Sequence, residues 1–234
     1  MTRHNEHGQP IGPDLGEWRA PGDPPRQVLA GRSVTLRPVV PARDAEELFS
    51  VLAASPTSTW TYLHYGPFAD AAELSTLLAY LDDLPDWQVY AIDVDGSLLG
   101  FICYLRIAPG EGVIEIGGVT FSSALRRTRA ATEAVHLLIA NAFALGYRRV
   151  EWKCDSLNEP SRRAADRFGF TYEGTFRQAT HYRGRNRDTA WYSIIDQDWP
   201  AIDAEFRRWL ADDNFDDVGD QRTRLTVPRP VPES

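Results

Sequence analysis

The run between residues 113 and 170 restricts the fold of this chain more than any other segment. Gly146 and Gly169 follow two helical patterns in it, and glycine commonly ends a helix. Strand, helix and strand in succession predict a β-α-β crossover within one sheet. The hydrophobic periodicity predicts strands over 113–121 and 148–154, and helices over about 128–145 and 158–168.

The rest of the sequence places antiparallel hairpins around this crossover. Asp95-Gly96 between two alternating segments is a strong hairpin signal. Asp70, with Glu73 three residues later, predicts the start of a helix. We therefore expect a mixed α/β fold. Further strands are predicted over 33–39, 87–94, 97–106 and three segments between 170 and 195, and further helices from about 41, 70 and 199.

Composition excludes several classes of protein. The net charge of −8 argues against general nucleic-acid binding, because phosphate contacts need a basic surface. No run of about 18 apolar residues predicts a membrane span, and the polar N-terminus lacks a secretory signal. Cys103 and Cys154 lie in apolar runs and are expected to be buried free thiols, as in a cytoplasmic protein. No Cys/His spacing predicts a metal site.

The predicted helix start near residue 128 is suited to an anion. The first N–H groups of a helix lack internal partners and lie at the positive end of its dipole. Three arginines surround this start, and small side chains leave its backbone accessible. A phosphate cradle and an ordinary capped surface helix with scattered arginines both fit this pattern. The residues are Arg126, Arg127, Thr128, Arg129, Ala130, Ala131 and Thr132.

The second helix start follows the second strand of the crossover. Asn158 is a plausible N-cap, Pro160 falls in the first turn, and Ser161 lies at capping distance. Capping alone explains these residues, and it is compatible with a ligand contact. Two anion-ready helix starts beside one strand favour a long polyanionic ligand, such as a nucleotide-containing cofactor.

Three sequence segments resemble the GNAT acetyltransferases, and more narrowly their RimJ/RimL-type branch. The resemblance covers roughly residues 33–200, and its most specific part is the N-x-x-S-x-x-x-A-x-x-x-G-F-x-x-E-G run that begins at Asn158. The segments are VIEIGGVTFSSALRRTRAATEA, WKCDSLNEPSRRAADRFGFTYEGTFRQ and RGRNRDTAWYSIIDQDW.

The resemblance implies a mostly antiparallel, V-splayed central sheet flanked by helices. The acyl donor would lie in the gap between strands 113–121 and 148–154. We expect an extended N-terminal arm over 1–31, a GNAT domain over 32–211 and a C-terminal tail over 212–234.

The resemblance also implies acetyl-CoA as the cofactor. The loop Arg126–Ala131 would hold the pyrophosphate through its backbone, although the family's central glycine is replaced by Arg129. Val119 and Phe121 would pair with the pantetheine arm like an extra strand, and Asn158 would hydrogen-bond that arm.

For the chemistry, the resemblance implies direct attack of an amine on the thioester. Ser161 would protonate the departing thiolate, and a backbone N–H of 117–121 would stabilise the oxyanion. Glu115 is the leading candidate for the base, and an ion pair with a neighbouring strand explains it equally well. His181 and Asp188 are weaker candidates on the closing hairpin. By the resemblance, the glutamate base of some relatives falls at Thr180 here, so that role is vacant or has moved.

Aromatic residues predict the wall of an acceptor pocket, above all in the loop over 60–68. For any single one of them, an ordinary core position is the competing explanation. The candidates for substrate binding are Trp60, Tyr62, His64, Tyr104, Trp152 and His181.

The sequence therefore predicts a cytoplasmic, acetyl-CoA-dependent N-acetyltransferase acting on a small-molecule amine or a protein N-terminus. It predicts no metal, membrane or nucleic-acid partner, and leaves a monomer and a homodimer open. A non-catalytic acyl-CoA-binding protein is the main alternative, because of Arg129 and Thr180. An RNA-binding accessory protein is a third, and the charge of −8 counts against it.

Overall fold

A computed structural model describes residues 3–228 of the chain. Residues 1–2 of the predicted arm and 229–234 of the predicted tail lie outside them. The strands are β1 (Arg3–His4), β2 (Pro10–Ile11), β3 (Leu29–Ala30), β4 (Thr35–Pro38), β5 (Gln88–Val94), β6 (Ser97–Ala108), β7 (Val113–Phe121), β8 (Arg149–Asp155), β9 (Thr171–Tyr182) and β10 (Arg185–Ile195). The helices are α1 (Pro41–Ala53), α2 (Ala71–Asp82), α3 (Arg129–Ala144), α4 (Glu159–Arg167) and α5 (Trp199–Trp209).

Eight strands form one mixed sheet in the order β3-β4-β5-β6-β7-β8-β10-β9. Only β7 and β8 pair in parallel, and α3 connects them, so the predicted crossover is confirmed. Their pairing runs from Val113 opposite Arg149 to Ile116 opposite Trp152 and then ceases. Both strands continue beyond this point, so the sheet opens into the expected V.

Glycines in β7 mark the place where the sheet opens. Gly118 has φ +57°, a left-handed conformation that glycine adopts without a steric penalty. A Cβ there would lie 2.7 Å from the Cys103 sulfur. The register with β6 also shifts between its Phe101 and Cys103 pairs. This irregularity bends the second half of β7 away from regular pairing, as β-bulges do.

Two hydrophobic cores cover opposite faces of the sheet. On one face, α1 and α2 bury leucines such as Leu48 and Leu74 against β5 and β6. On the other, α3, α4 and α5 pack over β7, β8 and β10, with Leu138 and Phe206 fully buried. Each such side chain contributes roughly 1.5–3 kcal/mol when it leaves water. On the face opposite α3, β7 and β8 carry the charged residues Glu115, Glu151 and Lys153.

The predicted arm lies on this domain and also joins it. The Trp18 indole donates to the Gly146 carbonyl at 3.0 Å, and Tyr147 donates to the Gly22 carbonyl at 3.2 Å. Leu29–Ala30 pair with β4. The sheet thus begins before the predicted boundary at 32, because a two-residue strand is too short to show alternation.

The capping prediction for α2 is confirmed, since Asp70 accepts from the Glu73 N–H at 2.8 Å. Both cysteines are buried and free, as expected. Within residues 3–228, no helix combines the length and apolarity needed to cross a membrane. The same residues contain no His, Cys, Asp and Glu grouping fit to hold a metal ion.

Candidate active site

The start of α3 lies beyond the open end of β7. Thr128 is the N-cap, and its Oγ1 accepts from the Ala131 N–H at 3.1 Å. The N–H groups of Arg129 and Ala130 have no acceptor among the described residues. Arg127, with φ +65°, takes the left-handed conformation of this turn. The turn therefore presents free N–H groups without a glycine at position 129.

The side chain of Arg129 is held by the C-terminal segment. Its guanidinium donates to the Leu210 carbonyl and, at 2.6 Å, to Asp212. It also lies 4.5 Å from the centre of the Phe215 ring. Arg129 is therefore a helical residue with an anchored side chain, and Arg126 and Arg127 are the remaining cations of this loop.

The start of α4 holds a hydroxyl beside the open end of β8. Asn158 caps the helix, and its Oδ1 accepts from the Ser161 N–H at 3.2 Å. Ser161 Oγ accepts from the Trp152 indole at 3.0 Å. An oxygen that accepts from Trp152 keeps its own proton free to donate. Burial raises the pKa of the nearby Cys154 thiol, so it stays neutral.

Glu115 is buried on β7 and paired with cations. Its Oε2 lies 2.9 Å from Lys153 Nζ and 3.5 Å from Arg106 Nε. Burial raises the pKa of Glu115, and the charges of Lys153 and Arg106 oppose the rise. The ion pair considered from sequence is thus present, and it leaves the second carboxylate oxygen available.

Two aromatic candidates belong to the core. Tyr104 is fully buried, with its hydroxyl bonded to the Leu138 carbonyl and to Asn141, so its prediction as an acceptor contact is wrong. Trp60 is also buried and packs against Phe68, with ring centres 5.3 Å apart, so its prediction is wrong as well. Both residues have large aromatic rings, and burying such a ring in the core is favourable. The core position therefore explains both residues.

Trp152 is 5% exposed and packs between Phe168 and Phe170. Trp152 was predicted to contact the acceptor. In the structure its indole N–H donates to the Ser161 hydroxyl instead, so it supports Ser161.

The loop over 60–68 is fastened to the β9–β10 hairpin. Arg183 donates to the Tyr65 carbonyl at 2.8 Å, and Arg187 lies 2.9 Å from His64 Nε2. Partial burial and these two arginines lower the pKa of His64, so it is neutral at pH 7. The Tyr65 hydroxyl reaches Thr120 on β7 at 2.8 Å. The loop therefore spans from β7 to the hairpin, and Tyr62 and His64 remain partly or fully exposed on it.

The weaker base candidates lie on the hairpin itself. Asp188 accepts from the Gln178 N–H at 2.7 Å and from Asn186 at 2.9 Å, and these bonds lower its pKa. It stabilises the hairpin and is a poor base. His181 and Thr180 are exposed on β9.

Comparisons with known proteins identify the family to which this fold and site belong. The model of the acetyltransferase (GNAT) domain matches residues 33–171. A GCN5-related N-acetyltransferase from Brucella melitensis is 40% identical, with a TM-score of 0.87 over 90% of this chain and 97% of its own. The chain belongs to the GNAT acetyltransferase family.

Two further relatives agree with that assignment. A probable GNAT-family acetyltransferase from Chromobacterium violaceum is 45% identical, with a TM-score of 0.79 over 82% of this chain and 98% of its own. The Bacillus subtilis protein named "Putative ribosomal N-acetyltransferase YdaF" is 26% identical over 71% of this chain and 93% of its own. The chain is thus a GNAT acetyltransferase, and the resemblance to the RimJ/RimL-like branch is supported.

GNAT acetyltransferases in general use acetyl-CoA, and the residues present here fit it. The α3 start has free N–H groups beside two arginines, as a pyrophosphate requires. In the part of the chain that the structure describes, β7 beyond Ile116 has no partner on its β8 side, which suits an arm that pairs like a strand. Sequence reasoning missed Lys153 and Arg187, although alternation along β8 places Lys153 on the face of Glu151, opposite Glu115.

Proposed function

We propose that this protein transfers the acetyl group of acetyl-CoA to a primary amine. The observation that carries the proposal is the divergence of β7 and β8 after Ile116 and Trp152, with a capped helix start beyond each strand. Such a gap offers main-chain groups, an anion site and a hydroxyl along one path.

The two sides of the gap have different tasks in this proposal. The loop from Arg126 to Thr132 would bind the pyrophosphate through free N–H groups and the Arg126 and Arg127 side chains. Val119 and Phe121 would offer main-chain hydrogen bonds to the pantetheine, as an edge strand does. Asn158 would bind the same arm, and Ser161 would protonate the thiolate as it departs.

The amine must lose a proton before it attacks. An α-amino group has a pKa of roughly 7.7–8.0, so a modest base is enough near neutral pH. Glu115 is buried beside the opening and would take that proton directly or through water. A main-chain N–H of 117–121 would stabilise the oxyanion of the tetrahedral intermediate.

The α-amino group of a protein N-terminus is the acceptor class we favour. The YdaF relative is named for ribosomal N-acetylation. The net charge of −8 suits a positively charged protein surface. The exposed Tyr62 and His64, with His181 on the facing hairpin, would contact the first residues of the acceptor. The cytoplasm is the expected compartment for this reaction and for two free thiols.

Thiol release from acetyl-CoA, with mass spectrometry of the product, tests the proposal. The panel is a peptide with a free N-terminus, the same peptide N-acetylated, a polyamine and an aminoglycoside. We expect transfer to the free peptide and none to its N-acetylated twin. Calorimetry with CoA runs in parallel, and tight binding without release on the whole panel would overturn the catalytic proposal in favour of an acyl-CoA-binding protein.

A further variant separates the base from the fold. Glu115→Gln should lower kcat/KM about 10²-fold or more at pH 7, and the loss should shrink as pH rises and the amine deprotonates unaided. An unchanged pH profile in Glu115→Gln would exclude Glu115 as the base.

A further inference from the structure

Lys153 lies between two buried glutamates at the point where the sheet opens. Glu115 on β7 and Glu151 on β8 are register partners, and Lys153 follows two residues after Glu151, on the same face. Its Nζ is 2.9 Å from Glu115 Oε2 and 2.5 Å from Glu151 Oε2. The side chain of Lys153 is 6% exposed.

The identity of this residue is unusual within the chain. Among the 25 Lys and Arg residues of the sequence, it is the only lysine. The other 24 of these residues are arginines. A lysine ammonium is compact and carries a point charge, whereas guanidinium is a broad planar fork. The site therefore selects a small cation that fits between two carboxylates.

An aromatic ring on β10 also limits the movement of the Lys153 ammonium. Its Nζ lies 3.7 Å from the centre of the Trp191 ring on β10. Arg149 binds the other oxygen of Glu151 at 2.8 Å, which fixes that carboxylate. An ammonium bounded by two carboxylates and an aromatic face has little freedom to move.

The two oxygens of Glu115 have different surroundings. Oε2 faces Lys153 and, at 3.5 Å, Arg106. Oε1 lies beside Gly117, 3.4 Å from where a Cβ on that residue would be. Gly117 is the first residue of β7 beyond its parallel pairing with β8. One oxygen thus lies within ion-pair distance of two cations, and the other lies beside the residue at which β7 and β8 separate.

Among residues 3–228, the charged groups that act on Glu115 come from two elements. β8 contributes Lys153 and Glu151, and β6 contributes Arg106. Burial disfavours the carboxylate, and Glu151 adds to that effect, while the two cations oppose it. Arg106 is 59% exposed, so water weakens its contribution. Lys153 is therefore the main group that keeps this carboxylate charged.

We propose that Lys153 is a positioning residue for acetyl transfer, which holds Glu115 ionised by Oε2 and leaves Oε1 free to accept the proton of the amine. This inference rests on the proposed function. The substrate ammonium loses one proton to Oε1, and the neutral amine then forms the C–N bond with the thioester carbon. The C–S bond breaks, and the second proton, which the nitrogen loses on becoming an amide, passes to the departing thiolate through Ser161. Lys153 keeps its proton throughout.

The experiment titrates the Glu115 carboxyl by NMR in protein labelled with ¹³C at the glutamate side chain, with Glu115→Gln to assign the signal. Lys153→Met should raise the titration midpoint by about 1–3 pH units, the effect of an adjacent opposite charge. The acidic limb of kcat/KM should move by the same amount. Lys153→Arg should restore only part of both values, because it returns the positive charge in a broader, planar shape. Arg207→Met on α5 should leave both values unchanged.

A second variant guards against misfolding. Lys153→Met removes the cation that the two buried carboxylates share, which is destabilising. Glu151→Gln with Lys153→Met removes one charge of each sign and leaves Glu115 paired with Arg106 alone. Its Glu115 midpoint should still rise, and a midpoint within about 0.3 units of the parent in both variants would overturn the role of Lys153.

The same experiment separates this inference from the function on which it rests. If the parent enzyme transfers acetyl groups and Lys153→Met alters neither the titration nor the pH limb, the positioning role fails alone. If Glu115 titrates as expected but no amine on the panel is acetylated, the proposed function fails and the catalytic part of this inference fails with it. Because the chain has one lysine, ¹⁵N labelling of lysine gives a single Nζ signal, and Glu115→Gln should shift it.

Discussion

The starts of α3 and α4 share one local design and differ in what surrounds them. Thr128 accepts the Ala131 N–H at 3.1 Å, and Asn158 accepts the Ser161 N–H at 3.2 Å, so each helix is capped across the same spacing. The α3 start is bordered by arginines and the C-terminal segment. The α4 start faces β8, where Trp152 bonds to Ser161. A helix cap alone therefore does not indicate which ligand a helix start binds. The residues that surround each helix start determine its proposed role.

The comparison predicts its largest effect at Ser161, where the chemical step would take place. Ser161→Ala should lower kcat about 10²-fold with little change in the KM for acetyl-CoA, because it removes a proton donor and little binding surface. Steady-state kinetics measure both constants. Trp152→Phe is the matched control, since it removes the hydrogen bond to Ser161 and keeps an aromatic ring. An equal loss in that control would assign Ser161's effect to orientation.

An intermediate effect is expected at Asn158, which would bind the pantetheine. Asn158→Ala should weaken CoA binding by about tenfold, equivalent to one hydrogen bond of about 1.4 kcal/mol. Calorimetry with CoA measures it. Asp70→Ala removes the equivalent cap of α2 and should cost a similar stability of about 1 kcal/mol. Asp70→Ala also leaves the pantetheine contact intact. Equal affinities of Asn158→Ala and the parent would show that the pantetheine lies elsewhere.

The smallest effect on CoA affinity is expected at Arg129, because its side chain already binds Leu210 and Asp212. Arg129→Gly restores the glycine typical of the family and should change CoA affinity by less than about threefold. It should lower Tm by a few degrees, because the C-terminal segment loses its anchor. The Arg127→Gln variant is the contrast, with weaker CoA binding and a nearly unchanged Tm. The opposite pattern would place Arg129 in the pyrophosphate site.

The anchor at Arg129 is also sensitive to pH. The Arg129 guanidinium lowers the pKa of Asp212, so the folded chain favours the ionised carboxylate. Such a carboxylate stabilises the fold above its unfolded pKa and loses that contribution as pH falls through its folded pKa. In Arg129→Gly the stability should therefore depend less on pH in the acidic range, which thermal unfolding at several pH values would show.

Local patterns predicted much of this molecule. The caps at Asp70 and Asn158 and the crossover are encoded within a few residues, and the structure has each of them. The resemblance supplied the V, which no periodicity could predict, because strand divergence depends on how β7 meets its neighbours.

Long-range contacts account for what the sequence left out. Arg129 contacts Asp212, 83 residues away, and nothing local signals the pair. Tyr104 was predicted at the site although strand alternation places it on the face of Ile102, beneath α3. Lys153 was missed because its meaning depends on Glu115 on another strand. The role of a strand side chain can be assigned only when the sheet face on which it lies and the residues that it contacts are known.

The outermost strand, β9, has irregularities that hinder another strand from pairing along its edge. β9 is 12 residues long and exposed along almost all of its length, and such an edge is a template for aggregation. Its register with β10 shifts twice, and Gln178, with φ +50°, directs its N–H inward to Asp188. A second strand would find no long uninterrupted ladder of free main-chain groups. The irregularities of β9 thus protect the edge while β9 remains hydrogen-bonded to its own sheet.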